Sequence, residues 1–298
     1  MTPQEYGYLQ NMLKDRSGLV LSEDKQYLLE SRLNPVVQKN GLENISDLIR
    51  KLQLPGSENL KSAVTEAMTI NESFFFRDKT PFRNFEEVMM PSLLKARQAK
   101  RSLRIWSAAA SSGQELYSLA ILIKEKGEAF RSWKIELMGT DISTEILEKA
   151  KTGLYSQFEV QRGMPSPLLV KYFQQVGSLW QVDSSLRAMM SFRNYNLLDN
   201  FSNLGTFDIV FCRNVLIYFD RETKRDVLER IARQMAPDGY LVLGAAETIV
   251  GITDKFEPVN GRQGLLSLKD KSVAGPITGR VQTQPDAAGI AVDAQNIA

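Results

Sequence analysis

The 298-residue chain contains no histidine and a single cysteine, Cys212. Without histidine, imidazole acid-base catalysis, the serine-histidine-aspartate triad and the common zinc sites are excluded. One cysteine allows neither an internal disulfide nor a cysteine-cluster metal site, so the chain suits a reducing compartment and no metal is expected. No apolar run approaches the ~20 residues that span a bilayer, and the opening MTPQEYGYLQ lacks a basic stretch leading into an apolar one. These absences predict a cytoplasmic protein that is not inserted in a membrane. Excess charge is missing too: 37 Lys and Arg stand against 35 Asp and Glu, and a net +2 gives no reason to expect nucleic acid as a partner. No heptad seam demands assembly, which leaves a monomer as the expectation.

What is present describes an ordinary globular protein, 43% hydrophobic and 24% charged. The length suits an α/β domain of roughly 200 residues plus a smaller unit. Up to residue 76, helical periods dominate. Tyr6, Leu9, Met12 and Leu13 share a helix face, and Ser22 with Glu23 and Asp24 reads as a cap for a helix carrying Tyr27, Leu28, Leu33 and Val36. Ser46 and Ser57 open two shorter candidates. From about Lys100, strands and helices alternate: LRIWSAAA, a helix from Gly113 to Lys126, KIELMGTD, a helix through Ile146 to Lys151, then MMSFRNYN, FDIVFC, a helix from Arg221 to Met235, and YLVLGAAE after the turn Pro237-Asp238-Gly239. This rhythm predicts a doubly wound parallel sheet across residues 77–271. Residues 156–188, with Pro165, Pro167 and Gly177 around LLVKYF and SLWQVD, interrupt it and predict a small antiparallel insertion. Residues 272–298 have no aromatic side chain and predict a disordered tail. Between Arg77 and Arg104 a basic run (Arg77, Lys79, Arg83, Lys95, Arg97, Lys100, Arg101, Arg104) meets only Asp78, Glu86 and Glu87, which predicts a solvated helix face, part of it open to an acidic partner.

The strand FDIVFC runs directly into Arg213 and Asn214, and one turn later into Tyr218 and Phe219. Open α/β sheets bind ligands where strands end in this way. The first strand, LRIWSAAA, ends in small residues and continues through Ser111-Ser112-Gly113, a loop that lets a ligand approach the backbone. It is not a phosphate loop, because GxxxxGK[ST] is missing and Glu115 in the first helical turn repels phosphate while suiting a cation. The second strand ends in Asp141, either a ribose acceptor or a cap for the next helix. In order, these signals favour a nucleoside-bearing cofactor with a positive centre. S-adenosylmethionine fits better than NAD, whose pyrophosphate wants unopposed N-H groups. Upstream, TINESFFFR sets three phenylalanines, expected to plug the seam between the domains, among Asn71, Ser73 and Arg77, with Arg77 suited to a carboxylate such as that of a methionine moiety.

From the helical unit to about Leu268 the chain resembles the CheR family of chemotaxis receptor methyltransferases. The resemblance rests on TINESFFFR, SAAASSGQELYSLAI, GTDISTEILEKAKTGLY, FRNYNLLD, FDIVFCRNVLIYFD and DGYLVLGAAET in the family's order. It implies a Rossmann-like class I S-adenosylmethionine-dependent methyltransferase sheet with an all-helical N-terminal domain and a small β insertion. It also implies methylation of glutamate side chains on the helical bundle of chemoreceptors, with S-adenosylhomocysteine as product. Asn71, Ser73, Arg77, Glu115, Asp141, Asn196, Leu197, Arg213 and Asn214 would line the cofactor site, with Arg213 and Tyr218 near the transferred methyl. Arg32, Lys39, Arg50 and Lys51 would join the basic run in docking on an acidic receptor. Ser73 stands where the family often has threonine, Gln114 and Leu116 flank Glu115 in place of the more usual Glu and Pro, and the insertion is short between Tyr172 and Val182.

The chemistry agrees, because a glutamate with an ordinary pKa near ~4.3 is ionised at neutral pH and needs no general base. Arg213 would orient the carboxylate, with a salt bridge to Asp141 or Asp208 as the competing reading. Two other functions stay open: a non-catalytic S-adenosylmethionine sensor and a nucleic-acid methyltransferase. The latter lacks support in Cys212-Arg213-Asn214, which differs from the Asn/Asp-Pro-Pro-aromatic turn of many amine methylases.

Overall fold

The computed structural model describes residues 1–22, 26–270 and 272. Glu23 and Asp24, and the expected tail apart from Ser272, lie outside the described residues. Four helices come first: α1 (Pro3–Ser17), α2 (Gln26–Lys39), α3 (Ile45–Leu52) and α4 (Glu58–Met68). Thr2 and Glu5 close a capping box at the start of α1, and Gly18 ends it in the left-handed region. Asn44, two residues before the expected Ser46, caps α3. Leu9, Leu13, Leu29, Leu33, Leu48, Leu52 and Val64 close a core of their own. Tyr27, expected on the inner face of α2, is 68% exposed, and Leu29 fills that role.

A linker leads through α5 (Thr80–Asn84), a π-helical turn over Phe85–Met89, and α6 (Met90–Ala96) into the sheet domain. There β1 (Ser102–Ala108), α7 (Gln114–Glu125), β2 (Lys134–Asp141) and α8 (Thr144–Thr152) alternate as the sequence predicts. The insertion follows with β3 (Leu154–Ser156), α9 (Gln157–Gln161), α10 (Ser166–Tyr172), β4 (Phe173–Val176), β5 (Leu179–Val182) and α11 (Ser184–Arg187). It is a three-stranded antiparallel sheet in the order β3-β5-β4, although the run LLVKYF is mostly helix and the hairpin starts only at Phe173. Then come β6 (Met190–Asn194), β7 (Phe207–Cys212), α12 (Arg221–Arg233), β8 (Met235–Leu243), β9 (Phe256–Pro258) and β10 (Leu265–Leu268).

The main sheet runs β6-β2-β1-β7-β8-β10-β9. Its first five strands are parallel and β10 is antiparallel to both neighbours, so the sheet is mixed where the sequence predicted a parallel one. Strands β9 and β10 are three and four residues long, too short to announce themselves by alternation. The central parallel strands β1 and β7 are buried on both faces. Ile105, Leu137, Ile209 and Phe211 pack against α7 on one side, and Trp106, Met138, Val210 and Cys212 against α12 on the other.

The phenylalanines do not plug the seam between domains. Phe75 is fully buried beneath the insertion, edge-on to Tyr155 and Phe173 with ring centroids 5.0 and 5.4 Å away. Phe76 packs on Phe82, and Phe74 lies beneath Arg77 and Arg162. The basic run is solvated over most of its members, as expected, but not all of it is free. Arg97 is buried and pairs with Asp208 (2.8 Å) and Asp238, Arg104 pairs with Glu136 (2.9 Å), and Lys79, Arg83, Lys95, Lys100 and Arg101 are its exposed members. An α/β edge assembled from buried pairs of this kind anchors α6 to the sheet.

One close packing point bears directly on the ligand-bearing edge. A Cβ at Gly139 would lie 2.7 Å from the Phe192 ring and 2.9 Å from the Ala110 Cβ. Gly139→Val is therefore expected to cost about 1–3 kcal/mol of stability by overpacking, read as a lower denaturant midpoint at constant m-value.

Candidate active site

Strands β1 and β7 are neighbours, yet the chain order runs outward from them in opposite directions. At such a reversal the loops diverge and leave a crevice at the carboxyl edge. Ala108 is in register with both Thr140 and Cys212, so Ala109 and Arg213, just past their strands, and Asp141, the last residue of β2, emerge side by side. A cavity of about 990 Å³, its mouth included, opens there. Asn71, Ser73, Arg77, Glu115, Asp141, Asn196, Leu197, Arg213, Asn214 and Tyr218 all line it.

The loop from β1 to α7 turns tightly, with Ala109 at φ 67°, Ser111 at 51° and Gly113 at 88°. For the two non-glycine residues this left-handed geometry costs on the order of 1 kcal/mol each. Specific bonds hold it: the Ser111 amide donates to Asp141 Oδ2 (2.9 Å), its hydroxyl to the Asn71 carbonyl (2.8 Å), and the Ala110 amide to the Thr140 carbonyl (2.8 Å). Asp141 Oδ1 accepts the Ser143 amide (3.0 Å), while the Ser143 hydroxyl caps α8 at the Ile146 amide. Asp141 is thus not the helix cap. It is a buried carboxylate between two loops, and burial raises its pKa although both amides pull the other way.

Arg213 is equally committed. Its Nη1 donates to Glu115 Oε2 (2.7 Å) and its Nη2 to Asp78 Oδ2 (2.8 Å) and to the Arg77 carbonyl (3.0 Å). The competing reading named the wrong acids, because Asp208 serves Arg97 and the Arg104 amide at the opposite edge of the sheet. Only 2% of the Arg213 side chain is exposed, and its Nε has no partner among the described residues. Ser107 Oγ fixes the other oxygen of Glu115 at 2.7 Å. The turn that delivers Asp78 is itself strained, with Phe76, Asp78 and Lys79 at φ 52°, 68° and 52°. Glu115 and Asp78 therefore pair with one buried guanidinium, Asp141 adds a further carboxylate to the same cavity wall, and the surplus of negative charge suits a cationic ligand.

Arg77 donates to the Glu72 carbonyl (2.7 Å) and makes no ion pair among the described residues, which leaves it suited to an anionic group. Asn196 is more constrained than expected: its Nδ2 donates to the Arg16 carbonyl (2.5 Å) and its Oδ1 accepts the Leu198 amide (3.0 Å). The Tyr218 hydroxyl makes no hydrogen bond among the described residues, and burial raises its pKa, so it faces the cavity as a neutral donor.

Sequence reasoning missed several contributors. Ser17 and Leu19, at the end of α1, line the cavity, and the Val20 amide donates to the Tyr218 carbonyl (2.9 Å). The helical unit thus supplies one wall, which no local pattern announces. Glu66 extends the contact by accepting the Thr144 amide at the start of α8. Asp78 carried a faint signal, as an acid inside a basic run beside Arg77.

The family model for the CheR methyltransferase all-alpha domain matches residues 4–69, and that for the CheR methyltransferase SAM binding domain matches residues 71–265. The break between them falls just after α4, ahead of the expected boundary at 76. The chain is 39% identical over 258 residues to the chemotaxis protein methyltransferase Cher2 of Pseudomonas putida, covering 85% of this chain and 94% of that protein. It is 39% identical over 269 residues to the chemotaxis protein methyltransferase of Vibrio parahaemolyticus, covering 89% and 97%. The Salmonella typhimurium chemotaxis protein methyltransferase is 33% identical over 266 residues, covering 88% and 89%.

Proposed function

Because the chain belongs to the CheR methyltransferase family, we propose that it transfers methyl groups from S-adenosylmethionine to glutamate side chains of chemoreceptors. The products are glutamate methyl esters, which retune receptor signalling during sensory adaptation, and S-adenosylhomocysteine. The observation that carries this reading is the cavity at the β1–β7 reversal. There the buried Arg213, held between Glu115 and Asp78, shares one space with the Tyr218 hydroxyl, which has no hydrogen-bond partner among the described residues.

The lining fits the cofactor. Asp141 offers a desolvated carboxylate to ribose hydroxyls, the small loop 109–113 admits close approach, and Arg77 suits the methionine carboxylate. Asn71, Ser73, Asn196, Leu197 and Asn214 complete the walls, and the surplus of carboxylates favours a positive sulfur. When bound, S-adenosylmethionine supplies an electrophilic methyl group.

The rest falls to the chain's own side chains. The receptor glutamate arrives ionised, so no proton need be moved and the lack of histidine is no handicap. Arg213 orients it. Since Glu115 and Asp78 already occupy both Nη atoms, the guanidinium attracts the incoming carboxylate only weakly and leaves its nucleophilicity intact. Tyr218 donates from the other side, and alignment in a space sheltered by α1 provides most of the acceleration.

No described helix is long and apolar enough to cross a membrane, so the receptor's helical bundle would have to be reached from outside the bilayer. Lys39, Arg50 and Lys51 are exposed and suit an acidic bundle, whereas Arg32 is spent on the carbonyls of Met68 and Thr69 at the end of α4.

The test is transfer of labelled methyl from S-adenosylmethionine to membranes carrying the host's chemoreceptors, followed by mild alkali. Label that enters the receptors and leaves as methanol is the expected result. Alkali-stable label would point to nitrogen or carbon methylation and overturn the substrate, and tight cofactor binding without any label would make the chain a sensor.

A further inference from the structure

Glu247 lies in the turn after β8, outside the ligand-lining residues discussed above. Its carboxylate accepts four backbone N-H groups. Oε2 takes those of Asn214 (2.9 Å) and Gly244 (2.7 Å), and Oε1 those of Val215 (3.0 Å) and Leu216 (2.8 Å). Three of the four belong to consecutive residues. Successive amides converge on one point only when the backbone turns through a left-handed residue, and Asn214 supplies this with φ 58°. Such a concavity normally binds a free anion; here the chain provides its own.

The segment held in this way joins Arg213 to Tyr218. β7 ends at Cys212, and the turn Leu216–Tyr218 follows directly, so nothing from a sheet ladder fixes residues 214–216. The Glu247 carboxylate takes that place and ties the end of β7 to the end of β8. Gly244 makes room for it, since a Cβ there would lie 2.8 Å from Glu247 Oε2 and 2.9 Å from Asn214 Nδ2.

We propose that Glu247 is a positioning residue for methyl transfer, fixing the Arg213–Tyr218 segment in its reactive geometry without touching either substrate. The claim rests on the proposed reading of the site, and its test has one arm that does not. In Glu247→Gln one oxygen becomes an NH₂ group that faces amide donors, so at least two of the four bonds are lost with almost no change in volume. Hydrogen exchange at the amides of 214–216 is expected to accelerate by roughly 10- to 100-fold while exchange in β7 stays at its wild-type rate. Single-turnover methyl transfer is expected to fall by about 30-fold, with affinity for S-adenosylhomocysteine changing less than about threefold. Glu247→Asp keeps the charge on a shorter arm and should recover part of the rate.

Unchanged exchange at 214–216 in Glu247→Gln would overturn the proposal. So would faster exchange with an undiminished transfer rate, or a loss of rate that Glu247→Asp does not relieve at all and that matches the fraction unfolded. If Glu247→Gln fails to fold, Gly244→Ala displaces the same carboxylate and is expected to show the same pairing of faster exchange with slower transfer. A wild-type chain that transfers no methyl to receptors would sink the reading of the site, and the exchange arm would still decide whether Glu247 holds the segment.

Discussion

Arg213→Ala is expected to lower methyl transfer by about a thousandfold and to destabilise the chain at the same time. The two effects have separate causes. Without the guanidinium both the incoming carboxylate and the Tyr218 turn are misplaced, and each misalignment costs up to about 10²-fold. Stability suffers because removing one member of a buried ion pair leaves the other unsolvated, at about 3–5 kcal/mol. The lower end of that range is expected, since Asp78 is 37% exposed and can recover water, whereas Glu115 at 13% cannot do so readily. Arg213→Lys separates the causes. One ammonium keeps the charge but cannot span Glu115, Asp78 and the Arg77 carbonyl together, so most of the stability should return while transfer stays about a hundredfold below wild type. Denaturant unfolding and initial rates on the same preparations decide it. An alanine variant with intact transfer and intact cofactor affinity would remove Arg213 from the mechanism.

The way Arg213 is held explains how far the sequence could be read. The strand-helix alternation, the ligand-bearing edge and the residues at its strand ends were legible because each is local: an apolar run, a breaker and a polar group next to it. Asp141, Glu115 and Arg213 could be named for that reason. Their partners could not, because Asp78 reaches Arg213 across 135 positions and Arg16 reaches Asn196 across 180. A basic run likewise looks free until the fold brings Asp208 and Glu136 to Arg97 and Arg104. The antiparallel end of the sheet was hidden by brevity, and the wall supplied by α1 by the absence of any periodic mark on Ser17 and Leu19.

Asp141→Asn is expected to weaken cofactor binding by about a hundredfold while leaving the cofactor-free chain as stable as wild type or slightly more so. The binding loss follows from replacing a charged acceptor with a neutral one, at about 1.5–3 kcal/mol for hydrogen bonds to a charged group. The stability result follows from the raised pKa. An acid titrating higher in the folded than in the unfolded state costs nothing below its unfolded pKa of about 3.9, and the cost grows as pH rises to the folded pKa and is complete above it. Above its raised pKa the ionised Asp141 therefore opposes folding. Asparagine removes the cost of burying the charge and forfeits one of the two amide bonds, from Ser111 or Ser143, so the changes nearly cancel. Wild-type affinity for S-adenosylhomocysteine should then decline as pH falls through the raised pKa of Asp141, and the variant should show no such decline. Calorimetric titration at pH 7.5 and pH 5, beside thermal melts without ligand, tests both halves. A variant that binds normally would mean the ribose is held elsewhere, and one that melts far below wild type would mean Asp141 serves the fold through its two loop amides more than it serves the ligand.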